Sequence, residues 1–343
     1  MAIQTSEIKW YKSMIVNDTG GNGGPMSANE IPDGVKNNVW PDVPQAERSA
    51  GSVKYRKTFI KIANDDDLTL LGARVFVETH TPGDDSVVLM AATQSDTQTD
   101  ATAYTRCYGA GDLDANVLVG DGVIAVNVES GNASGASAIF QNGDLIRISD
   151  KTSVDAAGGN AEFLRLASSG GVTWNGNKAT LTFASGVVAG YAYQAAATRV
   201  ASVLEAGDIM TSFTNWQKSS ASGSYDTTGY PLLGDNIGTI EQTWTITFTS
   251  ATQYTCAGES VGTVGSGTIG SGAFAPVNPD FNKPYFTLVN TTPPWGGSWT
   301  SGDSITFKSH PAAVGVWERR TVPAGANSRS GNKVVVAISG ESA

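Results

Sequence analysis

Apolar and polar residues alternate with a period of two along most of the chain from residue 53 onward, and helical periodicity is scarce. The clearest run is TWTITFTS at 243–250. There Trp244, Ile246 and Phe248 share one face while Thr243, Thr245, Thr247 and Thr249 share the other. Such alternation describes a strand packed on one face and wet on the other. Strands are predicted at 54–62, 70–78, 86–91, 117–128, 145–149, 161–166, 178–183, 243–249, 285–289, 304–308, 313–319 and 333–338. The segment KYRKTFIKI places Tyr55, Lys57, Phe59 and Lys61 on one side and Lys54, Arg56, Thr58, Ile60 and Ile62 on the other. That mixed alternation is expected of a sheet edge or a subunit contact. The best helix candidate is 195–206, where Ala, Leu and Glu have good propensity and Gly207 supplies a stop; Val200 and Val203 equally allow a strand.

Many short strands joined by Ser, Thr and Gly connections predict a mainly β protein of β-sandwich or barrel-like domains. Three segments, QNGDLIRIS, EAGDIMTSF and TSGDSITFK, each lead into a strand through Gly-Asp. Turn chemistry explains them better than internal duplication: Gly takes the positive-φ position and Asp accepts from nearby backbone N–H groups. Residues 1–52 carry GGNGGP and Pro32, Pro41 and Pro44 with few periodic strands, and read as an extended N-terminal arm lying on its own body or on a neighbour. Domains are expected at 53–205 and 240–343, the second carrying a Gly/Ser-rich stretch at 257–275 that is a functional loop or part of a long hairpin ordered by a partner.

Composition narrows the function. The 343 residues hold 22 basic and 32 acidic side chains, a net charge of −10 with no long basic tract. A nucleic-acid partner is not expected, because a grip on phosphates needs several Lys or Arg on one surface. No run of 18 apolar residues occurs, so no membrane partner is expected. Cys107 and Cys256 make no disulfide framework.

Catalytic signals are sparse. Gly258-Glu259-Ser260-Val261-Gly262 matches the G-x-S-x-G string, but the glycines after it cannot sustain the helix that a nucleophile elbow requires. Asp65-Asp66-Asp67 and Asp84-Asp85 lie between strands without calcium-loop spacing, and His80 and His310 stand away from either Cys. No phosphate-binding or dinucleotide fingerprint occurs. No catalytic residues, metal or cofactor are therefore expected. Pro293-Pro294-Trp295-Gly296-Gly297-Ser298-Trp299 could turn two indoles outward to bind glycan, or cap a core with them.

Several stretches together resemble a family of virion structural proteins of tailed bacteriophages, Mu-like and contractile-tailed ones among them. These are IKWYKS at 8–13, MSANEIPDGVKNNVWPDVPQAERSAGSVKYRK at 26–57, DDDLTLL at 65–71, TPGDDSVVL at 81–89, YGAGD at 108–112, FQNGDLIRISDK at 140–151 and HPAAVGVWERRTVPAGA at 310–326. The likeness is strongest over the first 150 and the last 45 residues. It implies a non-enzymatic subunit built into the virion beside copies of itself and other virion proteins, in the tail or baseplate ahead of the head or neck. The alternative is a receptor- or glycan-binding module on the virion surface.

The residues are compatible with an assembly role. Trp40-Pro41 and Val43-Pro44 favour an extended course, and extended segments add to a neighbour's sheet edge. Arg48, Lys54, Arg56 and Lys57 form the densest positive charge in an acidic chain, suited to an acidic patch on an adjacent subunit. Trp317, flanked by Arg319 and Arg320, has the composition of an interface centre; it equally suits the core of the last strand pair.

Overall fold

Period-two alternation becomes antiparallel pairing in the ladders of the computed structural model, which describes residues 2–129, 131–133, 135, 137–193 and 198–343. The chain first lays down β1 (Ile8–Ile15), β2 (Gly23–Glu30), a short helix α1 (Gln45–Ala50), β3 (Ser52–Ile62), β4 (Leu70–Thr79) and β5 (Ser86–Ala91). Next come α2 (Gln98–Ala101), β6 (Ala110–Leu113), β7 (Val123–Asn127), β8 (Leu145–Ser149), β9 (Ala161–Arg165), β10 (Val172–Asn175), β11 (Lys178–Thr182) and β12 (Arg199–Ile209). A second module follows: β13 (Ser212–Lys218), β14 (Ser224–Tyr225), β15 (Gln242–Phe248), β16 (Gln253–Gly258) and β17 (Gly262–Thr268). It continues through β18 (Ala273–Phe274), β19 (Val277–Asn278), β20 (Lys283–Pro284), β21 (Leu288–Val289), β22 (Trp295–Gly296) and β23 (Ser304–His310). Finally β24 (Ala313–Val322) and β25 (Val335–Ser342) return to the first body.

The first body is a sandwich. A five-stranded sheet in the order β2-β1-β3-β24-β5 faces a nine-stranded sheet whose main path is β10-β11-β7-β6-β12-β4-β25. Ile60, Leu89 and Val316 of the first sheet share one buried cluster with Val75, Val77, Ala201 and Val203 of the second. The module has its own five-stranded sheet, β13-β23-β15-β16-β17, over an aromatic core of Trp244, Phe248, Tyr254, Phe286 and Phe307. Strand β15 keeps the expected alternation, with Trp244, Ile246 and Phe248 buried and the threonines between them half-exposed.

The expected N-terminal arm is corrected. Residues 8–30 form a strand hairpin, and β1 pairs with β3 from Ile8↔Ile62 to Lys12↔Thr58. The physical cause is a small apolar face: Tyr11 and Met26 pack on Phe59 and Ala313. Strand β2, GGPMSANE, carries almost no apolar alternation, so its pairing is written in its partner rather than in itself. Strand β3 is likewise interior, not an edge, and is buried on both faces over most of its length.

Two further expectations change. The segment 199–206 is strand β12, which pairs with β4, β6 and β8, so the β-branched Val200 and Val203 prevail over helix propensity; residues 195–197 lie outside the described residues. The C-terminal domain expected at 240–343 begins earlier and ends sooner. Ser212 pairs with His310, which sets the two crossings between sandwich and module side by side, and β24 inserts between β3 and β5. The module is an insertion in the sandwich.

Most of the Gly/Ser-rich stretch at 257–275 belongs to a hairpin of β16 and β17, and its end forms β18, which pairs with β21. A Cβ on Gly267 would come within 2.5 Å of the Tyr254 hydroxyl, so glycine lets β17 lie flat on the aromatic core. Two of the three Gly-Asp segments share one turn. Gly143 (φ 81°) and Gly302 (φ 94°) are left-handed, and Asp144 and Asp303 accept from the Gln141 and Thr300 N–H groups. In the third, Gly207 (φ 75°) makes a bulge inside β12 instead.

Phe59 is fully buried at the centre of the first sheet. Phe59→Ala is expected to cost about 3–5 kcal/mol, measured by denaturant unfolding. A chain lacking residues 2–30, which uncovers β3, is expected to melt well below the full chain. Unchanged melting of the truncated chain would restore the arm.

Candidate assembly interface

The residues expected to meet another subunit meet one another. Residues 31–44 form no strand, and Trp40 reaches the ladder of β3 and β24. In that ladder Glu318 lies opposite Arg56, and Arg320 opposite Lys54. The Trp40 indole Nε1 donates to Glu318 Oε2 at 2.8 Å. Its ring lies 5.1 Å from the Arg56 guanidinium and 4.6 Å from that of Arg320. Arg320 Nη1 donates to the Pro41 carbonyl at 2.9 Å, and Thr58 Oγ1 donates to Glu318 Oε1 at 3.3 Å.

Around this knot Lys54 pairs with Glu47 at 2.6 Å and Asp18 at 2.9 Å, and Arg56 pairs with Asp18 at 2.7 Å. Burial pushes the Glu318 carboxyl above its ordinary value, against the pull of Trp40, Thr58 and Arg56. Trp40 thus closes a cluster of charges that an open sheet end would leave to water.

The opposite face of β3 holds a tighter arrangement. Lys57 Nζ pairs with Asp96 Oδ1 at 2.7 Å and donates to the Gly24 carbonyl at 2.7 Å. Asp96 Oδ2 accepts from Trp317 Nε1 at 2.9 Å and from the Tyr104 hydroxyl at 2.7 Å. Burial pushes Asp96 up, but the bonds from Lys57, Tyr104 and Trp317 outweigh it and leave the carboxyl below its ordinary range. Burial lowers Lys57 against the same pairing. Trp317 is fully buried in the main core cluster.

The expected interface is corrected where burial rules it out: Arg56, Lys57, Trp317 and Arg320 are buried within the chain. Trp40, Pro41, Lys54, Arg56, Lys57, Trp317 and Arg320 serve contacts within one chain. Arg48 is half-buried at the end of α1, where its carbonyl accepts from the Gly325 N–H, and Arg319 is half-buried on β24. The sequence could single these residues out because cations and indoles so dense on one strand need partners. It could not show that the partners come from the same chain, from 7 to 279 residues away.

The glycan platform is corrected as well. Trp295 and Trp299 are 9% and 3% exposed, and Trp299 stacks on Phe248 with centroids 4.3 Å apart. Trp295 Nε1 donates to Asn290 Oδ1 at 3.0 Å. The loop folds both indoles into the module core, where burying aromatic area outweighs presenting it to solvent.

The remaining polar groups are structural ties. The G-x-S-x-G string is the turn between β16 and β17, with no helix after it. Asp65 pairs with Lys283, Asp84 accepts from Asn327, and Asp85 accepts from Asn332. Among the described residues no group of three or more His, Cys, Asp or Glu is placed to hold a metal ion. Cys107 and Cys256 are both free and buried, and burial pushes the Cys256 thiol up to about 12. The chain matches no family model, no curated protein and no solved structure.

What the sequence missed is an exposed apolar cluster at one end of the nine-stranded sheet. The residues at 117–128 were expected as one strand, but only β7 forms, and 117–121 turn back against 187–191. Val117 and Tyr191 exchange backbone bonds at 2.8 and 2.9 Å, Gly120 N donates to the Val187 carbonyl at 2.8 Å, and Leu118 N donates to Asp121 Oδ2 at 2.8 Å. With the backbone fixed, Val117 and Val187 point inward while Leu118, Val119 and Val188 stand 69%, 69% and 73% exposed. Val123, at the start of β7, and Tyr193, whose N–H donates to Asn116 Oδ1, are exposed as well. The signal was in the sequence as Val117-Leu118-Val119 and Val187-Val188, adjacent apolar residues that cannot all face one core.

Asp96→Asn leaves Lys57 buried without a charge partner and is expected to cost about 3–5 kcal/mol at neutral pH. Because Asp96 is depressed in the fold, its contribution is present above the ordinary carboxylate value and lost as pH falls through the folded one. The gap between wild type and variant should therefore narrow below pH ~4. Urea unfolding at pH 7 and pH 3 checks both the size and the direction.

Proposed function

We propose that this chain is a non-enzymatic structural subunit of a bacteriophage virion, joined to copies of itself and to other virion proteins in the tail or baseplate. The observation that carries an assembly role is the exposed apolar cluster of Leu118, Val119 and Val188. Burying a large aliphatic side chain is worth about 1.5–3 kcal/mol. The loops holding this cluster are already hydrogen-bonded, so a partner would gain that burial without ordering a disordered segment. The virion setting rests on the resemblance of the stretches between 8 and 151 and at 310–326 to phage structural proteins.

The internal chemistry supports the same reading. Asp65, Asp67, Asp84, Asp85, Lys54, Arg56, Lys57 and Arg320, singled out in the sequence, are taken up in ties between strands and loops. Two surface depressions, of about 390 and 530 Å³, are open, and Asp96, which lines the second, is already bonded to Lys57, Tyr104 and Trp317. A subunit of this kind contributes shape, stiffness and contact area.

Antibodies against the chain are expected to label intact phage particles at the tail or baseplate. Complete particles that lack the chain by mass spectrometry would refute the virion role. The double variant Leu118→Asp/Val188→Asp should keep the wild-type melting temperature while its incorporation into particles falls roughly tenfold or more. Undiminished incorporation would move the contact elsewhere.

A further inference from the structure

Lys61 lies on the same face of β3 as Lys57, but its surroundings differ. Its side chain is fully buried, and its Nζ donates to two carbonyls of the inserted module, Ile237 at 2.6 Å and Thr239 at 3.3 Å. The Phe281 ring of the module lies 4.4 Å away. No carboxylate pairs with it directly among the described residues. Asp235 acts only at longer range, with its Oδ1 already accepting from the Ile237 and Gly238 N–H groups. Two carbonyls satisfy both N–H groups of a neutral amine, whereas an ammonium keeps a third with only an aromatic face beside it.

The junction around Lys61 is polar. Asn236 N donates to Asp67 Oδ1 at 2.7 Å, Asn236 Nδ2 donates to the Leu68 carbonyl at 2.9 Å, and Lys283 pairs with Asp65 at 2.7 Å near the surface. Tyr11 meets Phe281 edge to face at 5.8 Å. The chain crosses between the bodies only at 210–211 and 311–312, side by side. Junctions of this kind permit relative motion of the two bodies.

We propose that undocking of the module from the sandwich takes up a proton at Lys61, so that acidification loosens the junction and alkalinity tightens it. Burial lowers Lys61 to about 7 in the docked state, only weakly opposed by Asp235, whereas an exposed lysine titrates near 10.4. Between those limits the undocked state binds more protons. The undocking constant then falls about tenfold for each unit that pH rises, and it is flat below about 6. The latch acts within one chain and holds whichever assembly the chain enters.

The other charged groups facing this junction are Lys9 and Tyr11 on β1, with Glu30 beside them on β2, and Asp65, Asp66 and Asp67 after β3. The module contributes Asp235, Asp280, Lys283, Tyr285 and, at the crossing, His310. Burial raises Asp67, Tyr11 and Tyr285, and the bond to Asp65 raises Lys283. All of these groups remain when Lys61 alone is replaced, so any pH dependence they cause survives that replacement.

The test is native-state hydrogen exchange of the full chain from pH 5.5 to 9, read at the Asn236 amide and corrected for intrinsic exchange. The expected wild-type opening constant is flat at the acidic end and falls about tenfold per unit above pH ~7.5. Lys61→Met and Lys61→Arg should both lose the tenfold-per-unit slope and keep only what the other junction groups contribute, and Lys61→Arg should open more readily than wild type at pH 8. A flat wild-type profile, or the wild-type slope persisting in Lys61→Arg, overturns the proposal. Should Lys61→Met fail to fold, the wild-type profile and a direct titration of the Lys61 ε-carbon by nuclear magnetic resonance decide the matter. An ordinary lysine value near 10 refutes it.

Discussion

Strand β3 carries cations on both faces into the middle of the molecule, and every one of them must find an acceptor before the sheet can close. Leaving a charge buried without a partner costs several kcal/mol, so the demand organises segments far apart in sequence. Arg56 draws in the β1–β2 turn through Asp18 and the Asn17 carbonyl. Lys57 ties the Gly24 carbonyl to Asp96 just before α2. Lys61 reaches the inserted module through Ile237 and Thr239. Apolar burial gives the sandwich its thickness, while the β3 cations determine what sits at its ends.

This demand explains which parts of the architecture were legible in the sequence. The strands β5, β8 and β15 were predictable because each carries its own apolar residues: β15 alternates and buries one face, while β5 and β8 are short apolar runs buried on both. The hairpin of β1 and β2 was not, because β2 is held by its neighbour's backbone and by polar ties such as Ser27 Oγ donating to the Lys12 carbonyl. Nor was the return of β24, whose place between β3 and β5 depends on partners more than 220 residues earlier. The alternation of 313–319 shows a strand; it does not show which sheet receives it.

The candidate site was legible in composition and not in connectivity. Trp40, Arg56, Trp317 and Arg320 stood out because indoles and guanidiniums concentrated on short segments must stack and pair. The same chemistry serves an interface between chains or a closure within one, and only the register Glu318↔Arg56 brings the closure to a single chain. Trp295 and Trp299 repeat the point, since Pro and Gly around an indole hold it outward or fold it inward with equal ease. The apolar residues at 117–119 and 187–188 escaped notice because alternation counts apolar residues without asking whether a turn leaves some outside.

Two buried lysines on one strand face show how acceptor type divides structure from response. Lys57 meets a carboxylate, which fixes its charge and its partners together; burial and pairing oppose each other within a closed knot containing Trp317 and Tyr104. Lys61 meets two carbonyls and the Phe281 ring, with no carboxylate in direct contact among the described residues to fix its charge. A cation of the first kind stiffens the body that holds it. One of the second kind links its protonation to whatever covers it, and what covers Lys61 is a separate module joined by two adjacent crossings. The adjustable seat around Lys61 and the hydrogen-bonded apolar loop end of the sandwich therefore belong to different parts of the same chain.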